Sequence, residues 1–69
     1  MEYGKVLQHY LNVQGITKYE LAKRARCSRS QITEYINGAS KEPTLSRGKA
    51  IADALGVPFE EMLRMMFEE

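Results

Sequence analysis

The chain has 69 residues, 43% of them hydrophobic and 28% charged, with a net charge of +1. That composition suits one small domain spanning 1–69 and excludes a disordered tail, although a fold this short hides only about 60% of the surface its unfolded chain exposes. One cysteine cannot close an internal disulfide, and one cysteine with one histidine cannot supply a four-ligand zinc site. The first residues, Met1 to Leu7, contain no apolar secretory core, and no run approaches the ~20 apolar residues of a membrane span. These bounds predict a soluble, intracellular protein with no membrane association, no metal and no cofactor.

The small net charge conceals a division. Residues 1–41 carry seven cations and three acids, whereas residues 42–69 carry three cations and six acids. A positive first half suits a polyanionic partner, although charge runs of this kind are also found on ordinary solvated helix faces.

Helical spacing recurs along the whole chain and strict alternation is absent, so the sequence predicts five helices and no strand. Tyr3, Val6, Leu7, Tyr10 and Leu11 form the stripe of the first helix, which Gly15 ends. Thr17 and Glu20 form a capping box for a second helix that buries Leu21, Ala22 and Ala25. Ser28 and Gln31 repeat the device for a third helix with an inner stripe of Ile32, Tyr35 and Ile36, closed by Asn37-Gly38. Thr44 caps a fourth helix whose expected core face is Leu45, Ile51, Ala52 and Leu55, and Gly56 ends it. Pro58 suits the first turn of a fifth helix over about 58–67, with Glu60 and Glu61 near its positive end and Met62, Leu63, Met66 and Phe67 as its stripe.

The join between the second and third helices is the most informative feature. Only Arg26 and Cys27 separate Ala25 from the Ser28 cap, so the two helices must cross steeply, and Ala22 permits a close approach. The stretch from Thr17 to Gly38 resembles the helix-turn-helix of lambdoid-phage repressor and Cro-like regulators, the Xre family. The resemblance rests on Leu21-Ala22, Ser28, Ile32, Gly38, Pro43 and Ala52-x-x-Leu55-Gly56, and it covers about residues 5–63. It implies an all-α, five-helix, lambda-repressor-like DNA-binding domain in a bacterial or phage-encoded cytoplasmic protein. Relatives usually carry glycine where Arg26 stands, which implies a slightly reshaped turn, and often glutamate where Ile36 stands, which implies a different local polar network. Cys27 takes the apolar turn position where relatives often carry valine, and His9 suits a surface or packing role.

The resemblance implies that Arg29, Ser30, Thr33 and Glu34 occupy base-reading positions, and that Lys18, Asn37 and Lys41 occupy phosphate-contacting ones. A helical wheel with Ile32 at 0° puts Ser30, Thr33, Glu34 and Asn37 between about 100° and 200°, away from the core. A guanidinium such as that of Arg29 can bridge guanine O6 and N7. Ser30 and Thr33 suit base contact or plain solvation equally, and Glu34 suits either acceptance from cytosine N4 or repulsion of the wrong sequence.

Met62, Leu63, Met65, Met66 and Phe67 are five large apolar residues in six positions, more than one stripe uses. The excess predicts a homodimer in which Met62, Met65, Met66 and Phe67 form the interface, which would present two recognition helices to a palindromic operator. The sequence therefore predicts a non-enzymatic, sequence-specific regulator of transcription acting on double-stranded DNA as a repressor. No phosphate loop, paired carboxylates or activated nucleophile suggests catalysis, and no small-molecule ligand is evident. Two other readings remain: a helix-turn-helix used to bind protein, and the DNA-binding part of a longer repressor.

Overall fold

The computed structural model describes residues 2–39 and 42–67. They form five helices: α1 (Tyr3–Gln14), α2 (Lys18–Ala25), α3 (Arg29–Asn37), α4 (Leu45–Leu55) and α5 (Phe59–Phe67). No strand occurs among the described residues, and none of their helices is long and apolar enough to cross a membrane.

Local chemistry marks most of the boundaries. Ser28 Oγ accepts from the Gln31 N–H at 3.1 Å while Gln31 Oε1 accepts from the Ser28 N–H at 3.4 Å, a complete capping box. Thr44 Oγ1 accepts from the Arg47 N–H at 3.3 Å, as its cap position requires. At α2 only half of the expected box forms: Thr17 Oγ1 accepts from the Glu20 N–H at 3.1 Å. The Glu20 carboxylate instead lies 3.7 Å from the Arg24 guanidinium one turn along the helix. Pro58 precedes α5 rather than entering it, and its carbonyl accepts the first bonds of that helix from Glu61 and Met62.

The five helices enclose one core. All five stripe residues of α1 are buried in it, with Leu21, Ala22 and Ala25 of α2, Ile32 of α3, Ile51, Ala52 and Leu55 of α4, and Met62 of α5. Helix α2 packs on α3 and α4, α1 packs on α3 and α5, and α4 packs on α5. Two long-range bonds fix α1 to the C-terminal half: the Tyr10 hydroxyl donates to Glu61 at 3.1 Å, and the Gln14 amide donates to the Leu55 carbonyl at 2.6 Å.

Two apolar residues depart from the expected stripes. Leu45 is 62% exposed because, as the first residue of α4, it lies beyond the face covered by the neighbouring helices. The core side of that helix is completed by Gly48, over which the Phe59 ring packs so closely that a Cβ would lie 2.9 Å from Phe59 Cε1. Phe67 is 80% exposed. It stands five residues from the buried Met62, about 140° around the helix and off the inward stripe.

The crossing of α1 and α3 sets the orientation of α3. Gly4 faces the C-terminal turn of α3, where an added Cβ would collide with the Tyr35 carbonyl oxygen and lie 2.8 Å from that of Ile36. Beside it, the Tyr3 and Tyr35 rings meet edge to face, with centroids 5.7 Å apart. The Tyr3 hydroxyl is buried without a hydrogen-bond partner, and burial pushes it well above the ordinary tyrosine range, so it remains neutral. Gly4→Ala is expected to cost roughly 2–3 kcal/mol through overpacking against backbone that cannot yield. Thermal or urea unfolding checks this; an unchanged midpoint would show that α1 can shift without loss.

Candidate nucleic-acid interface

Helix α3 is oriented by Ile32, which has no exposed surface and lies in the shared core. Tyr35 and Ile36 flank it, half-buried against the same cluster. With that side fixed, Arg29, Ser30 and Asn37 stand exposed and Thr33 and Glu34 lie half-buried at the margins.

The turn that delivers α3 is short. Arg26 adopts the left-handed conformation, φ 57° and ψ 44°, and is the one non-glycine residue with positive φ among those described. Its N–H bonds back to the Ala22 and Lys23 carbonyls, and the Cys27 N–H reaches Ala22 O at 3.0 Å, a Schellman-type closure. The turn therefore keeps tight left-handed geometry at an arginine, and the reshaping expected from the missing glycine does not occur. The Cys27 side chain is half-buried against the core, in agreement with its apolar reading.

Where α2 begins beside α3, an open cleft is lined by Thr17, Lys18, Tyr19, Arg29 and Thr33. It brings together three of the residues singled out from the sequence: Lys18, Arg29 and Thr33. Neither cation has an acidic partner among the described residues, whose one recorded ion pair is Arg24 with Glu20. Ser30 and Glu34 lie on α3 outside this cleft. Asn37 stands at the opposite end of the helix, about 12 Å away along its axis, where it lines a second groove with Glu2, Tyr3, Gly4, Lys5, Tyr35, Ile36, Gly38 and Glu42. Lys41 lies outside the described residues.

Tyr19 was absent from the sequence-derived set. It is 57% exposed, and the Lys23 ammonium sits over its ring at 5.5 Å. The available signal was an aromatic residue placed about 160° from Leu21 on the α2 wheel, directed away from the core.

Of the residues expected at a dimer interface, Met62 is 1% exposed and belongs to the chain's own core, where it is not available to a partner. Met65 and Met66 are half-buried against the core and Phe67 is exposed.

The arrangement is that of two helices joined by a tight turn, with the second held by its inner edge and presenting a polar outer edge that begins at Arg29. A helix-turn-helix family model matches residues 7–62. The chain belongs to the Xre-type helix-turn-helix family. The fold of this helix-turn-helix protein is similar to the crystal structure of the clp gene regulator ClgR from C. glutamicum. The TM-score is 0.83 and the sequences are 26% identical, over 93% of this chain and 82% of that one. No curated protein sequence matches the chain. The family and the structural relative together point to a DNA-binding regulator rather than to an enzyme.

The strained turn gives a direct test of the local geometry. A non-glycine residue in the left-handed region costs on the order of 1 kcal/mol, so Arg26→Gly should raise stability by about that amount in urea unfolding. A lowered midpoint would mean that the arginine side chain contributes more than its backbone conformation costs.

Proposed function

We propose that this helix-turn-helix protein represses transcription by binding a specific duplex sequence as a homodimer. The observation that supports this reading most directly is the outer edge of α3. Arg29 and Thr33 line a cleft beside Lys18, and the two cations have no acidic partner among the described residues. An α-helix fits the B-DNA major groove, where each base pair presents a distinct pattern of donors and acceptors. Arg29, in the first turn of α3, would reach furthest and read guanine. Ser30, Thr33 and Glu34 would meet the neighbouring base edges, with Glu34 accepting from cytosine N4. Lys18 would hold a phosphate at the start of α2, and Asn37 and Lys41 would hold the backbone at the other end of the recognition helix. Phosphate contacts set register and give salt-dependent affinity, whereas base contacts carry the discrimination.

A two-fold dimer would repeat this element on half-sites about 34 Å apart. Phe67 supplies the exposed apolar surface for such contact, with Met65 and Met66 beside it in the sequence. Repression would follow from occupancy of promoter DNA.

Selection of bound sites from a random duplex library gives the test, since a recovered palindrome supports both specificity and two-fold binding. On the recovered site Arg29→Ala should lose roughly 1–3 kcal/mol, with a much smaller loss on random duplex; equal losses would remove Arg29 from base reading. Lys18→Ala should weaken every duplex alike and make the salt dependence shallower by about one unit in log–log slope. An unaltered slope would take Lys18 off the phosphate. Phe67→Glu should shift the protein towards monomer in sedimentation velocity, and an unchanged mass would place the dimer contact elsewhere.

A further inference from the structure

We infer that Tyr19 is a contact to the DNA backbone, its hydroxyl donating to a phosphate at the edge of the major groove that α3 enters. The inference deepens the proposed DNA-binding function and rests on it.

A singly exposed aromatic residue is common and by itself means little. Tyr19 differs through its position. It shares one cleft with Lys18, Arg29 and Thr33, the residue assigned to a phosphate and two of those assigned to bases. A ligand that fills this cleft meets Tyr19 together with Lys18 and Arg29. The two cations have no acidic partner among the described residues, which gives the cleft the charge complementarity for an anionic backbone. The Tyr19 hydroxyl likewise has no hydrogen-bond partner among those residues. A phenol is one of the neutral donors that serve phosphate oxygens.

The ring also has a restraint of its own. The Lys23 ammonium lies 5.5 Å from its centroid, within cation–π range, on the same face of α2 one turn further along. This contact uses the ring and leaves the hydroxyl free. Restraining the side chain before binding lowers the entropic cost of fixing it against a partner.

A tyrosine hydroxyl is uncharged and displaces no counterion, which separates its signature from that of Lys18. The test uses the full chain, the duplex selected from a random library by the wild-type protein, and a random-sequence duplex of the same length. Tyr19→Phe keeps the ring beneath Lys23 and removes only the donor. It should weaken binding to both duplexes about fivefold, as loss of one hydrogen bond predicts, with the salt slope unchanged. Tyr19→Ala should weaken both about tenfold or more. Ethylation interference should show one phosphate whose modification impairs the wild type and has no further effect on Tyr19→Phe. Because the side chain is exposed, both variants should unfold at the wild-type midpoint.

Tyr19→Ala within twofold of wild type on both duplexes, while Arg29→Ala is impaired, would overturn this inference and leave the DNA-binding reading standing. A loss confined to the selected duplex would overturn the phosphate assignment in favour of base reading. Failure of the wild type to bind any duplex would overturn both.

Discussion

The burial of Ile32 is the constraint on which the rest of the structure depends. Helix α3 has nine residues and one fully buried anchor, so rotation about its axis is set by how well that side chain is enclosed. A helix this short has little stability of its own in water and is held by tertiary packing. Small residues on α2, Ala22 and Ala25, and the absence of a side chain at Gly4 let the neighbouring helices close around it. Removal of several methylene groups at such a site typically costs several kcal/mol, a large part of the margin of a 69-residue domain. The energetic anchor and the exposed polar residues proposed to read DNA are thus on opposite sides of one helix, and neither can be turned without the other.

The charge distribution follows from the same division. A net charge of +1 gives little long-range attraction for a polyanion. The local arrangement is uneven: Lys18 and Arg29 face one cleft with no acidic partner among the described residues, whereas Glu61 is held against Tyr10 on the α1–α5 side. On the proposed function, affinity depends on where a few cations stand and less on their number.

Much of this was legible in the sequence because the decisive signals are local. Ser28 with Gln31, Thr44, and the glycines after α1, α3 and α4 define ends through hydrogen bonds within a few residues, and these formed as read. The α1 stripe was legible in full because every member faces the centre of the molecule. Periodicity says which residues share a face but not where the neighbouring helix stops, so Leu45 was assigned to a core that does not extend to it, and Phe67, read both in the α5 stripe and in a dimer interface, is exposed. Met62 was read both in the α5 stripe and in a dimer interface, and its burial, which decides between them, depends on the long-range approach of α1 and α4. At Thr17 half of the box forms and Glu20 lies near Arg24 instead, an alternative partner that spacing alone does not rank. The cleft containing Tyr19 was invisible because it joins two helices whose relative angle is a tertiary property.

Amide chemical-shift mapping during titration with the library-selected duplex at modest ionic strength tests the central claim most directly. The account predicts that the largest changes fall at the start of α2, around Lys18 and Tyr19, and along α3 from Arg29 to Asn37, with the amides of α1 near Tyr10 and of α5 near Glu61 little affected. Changes concentrated on α5 while α3 stays unperturbed, or no change at saturating duplex, would contradict it.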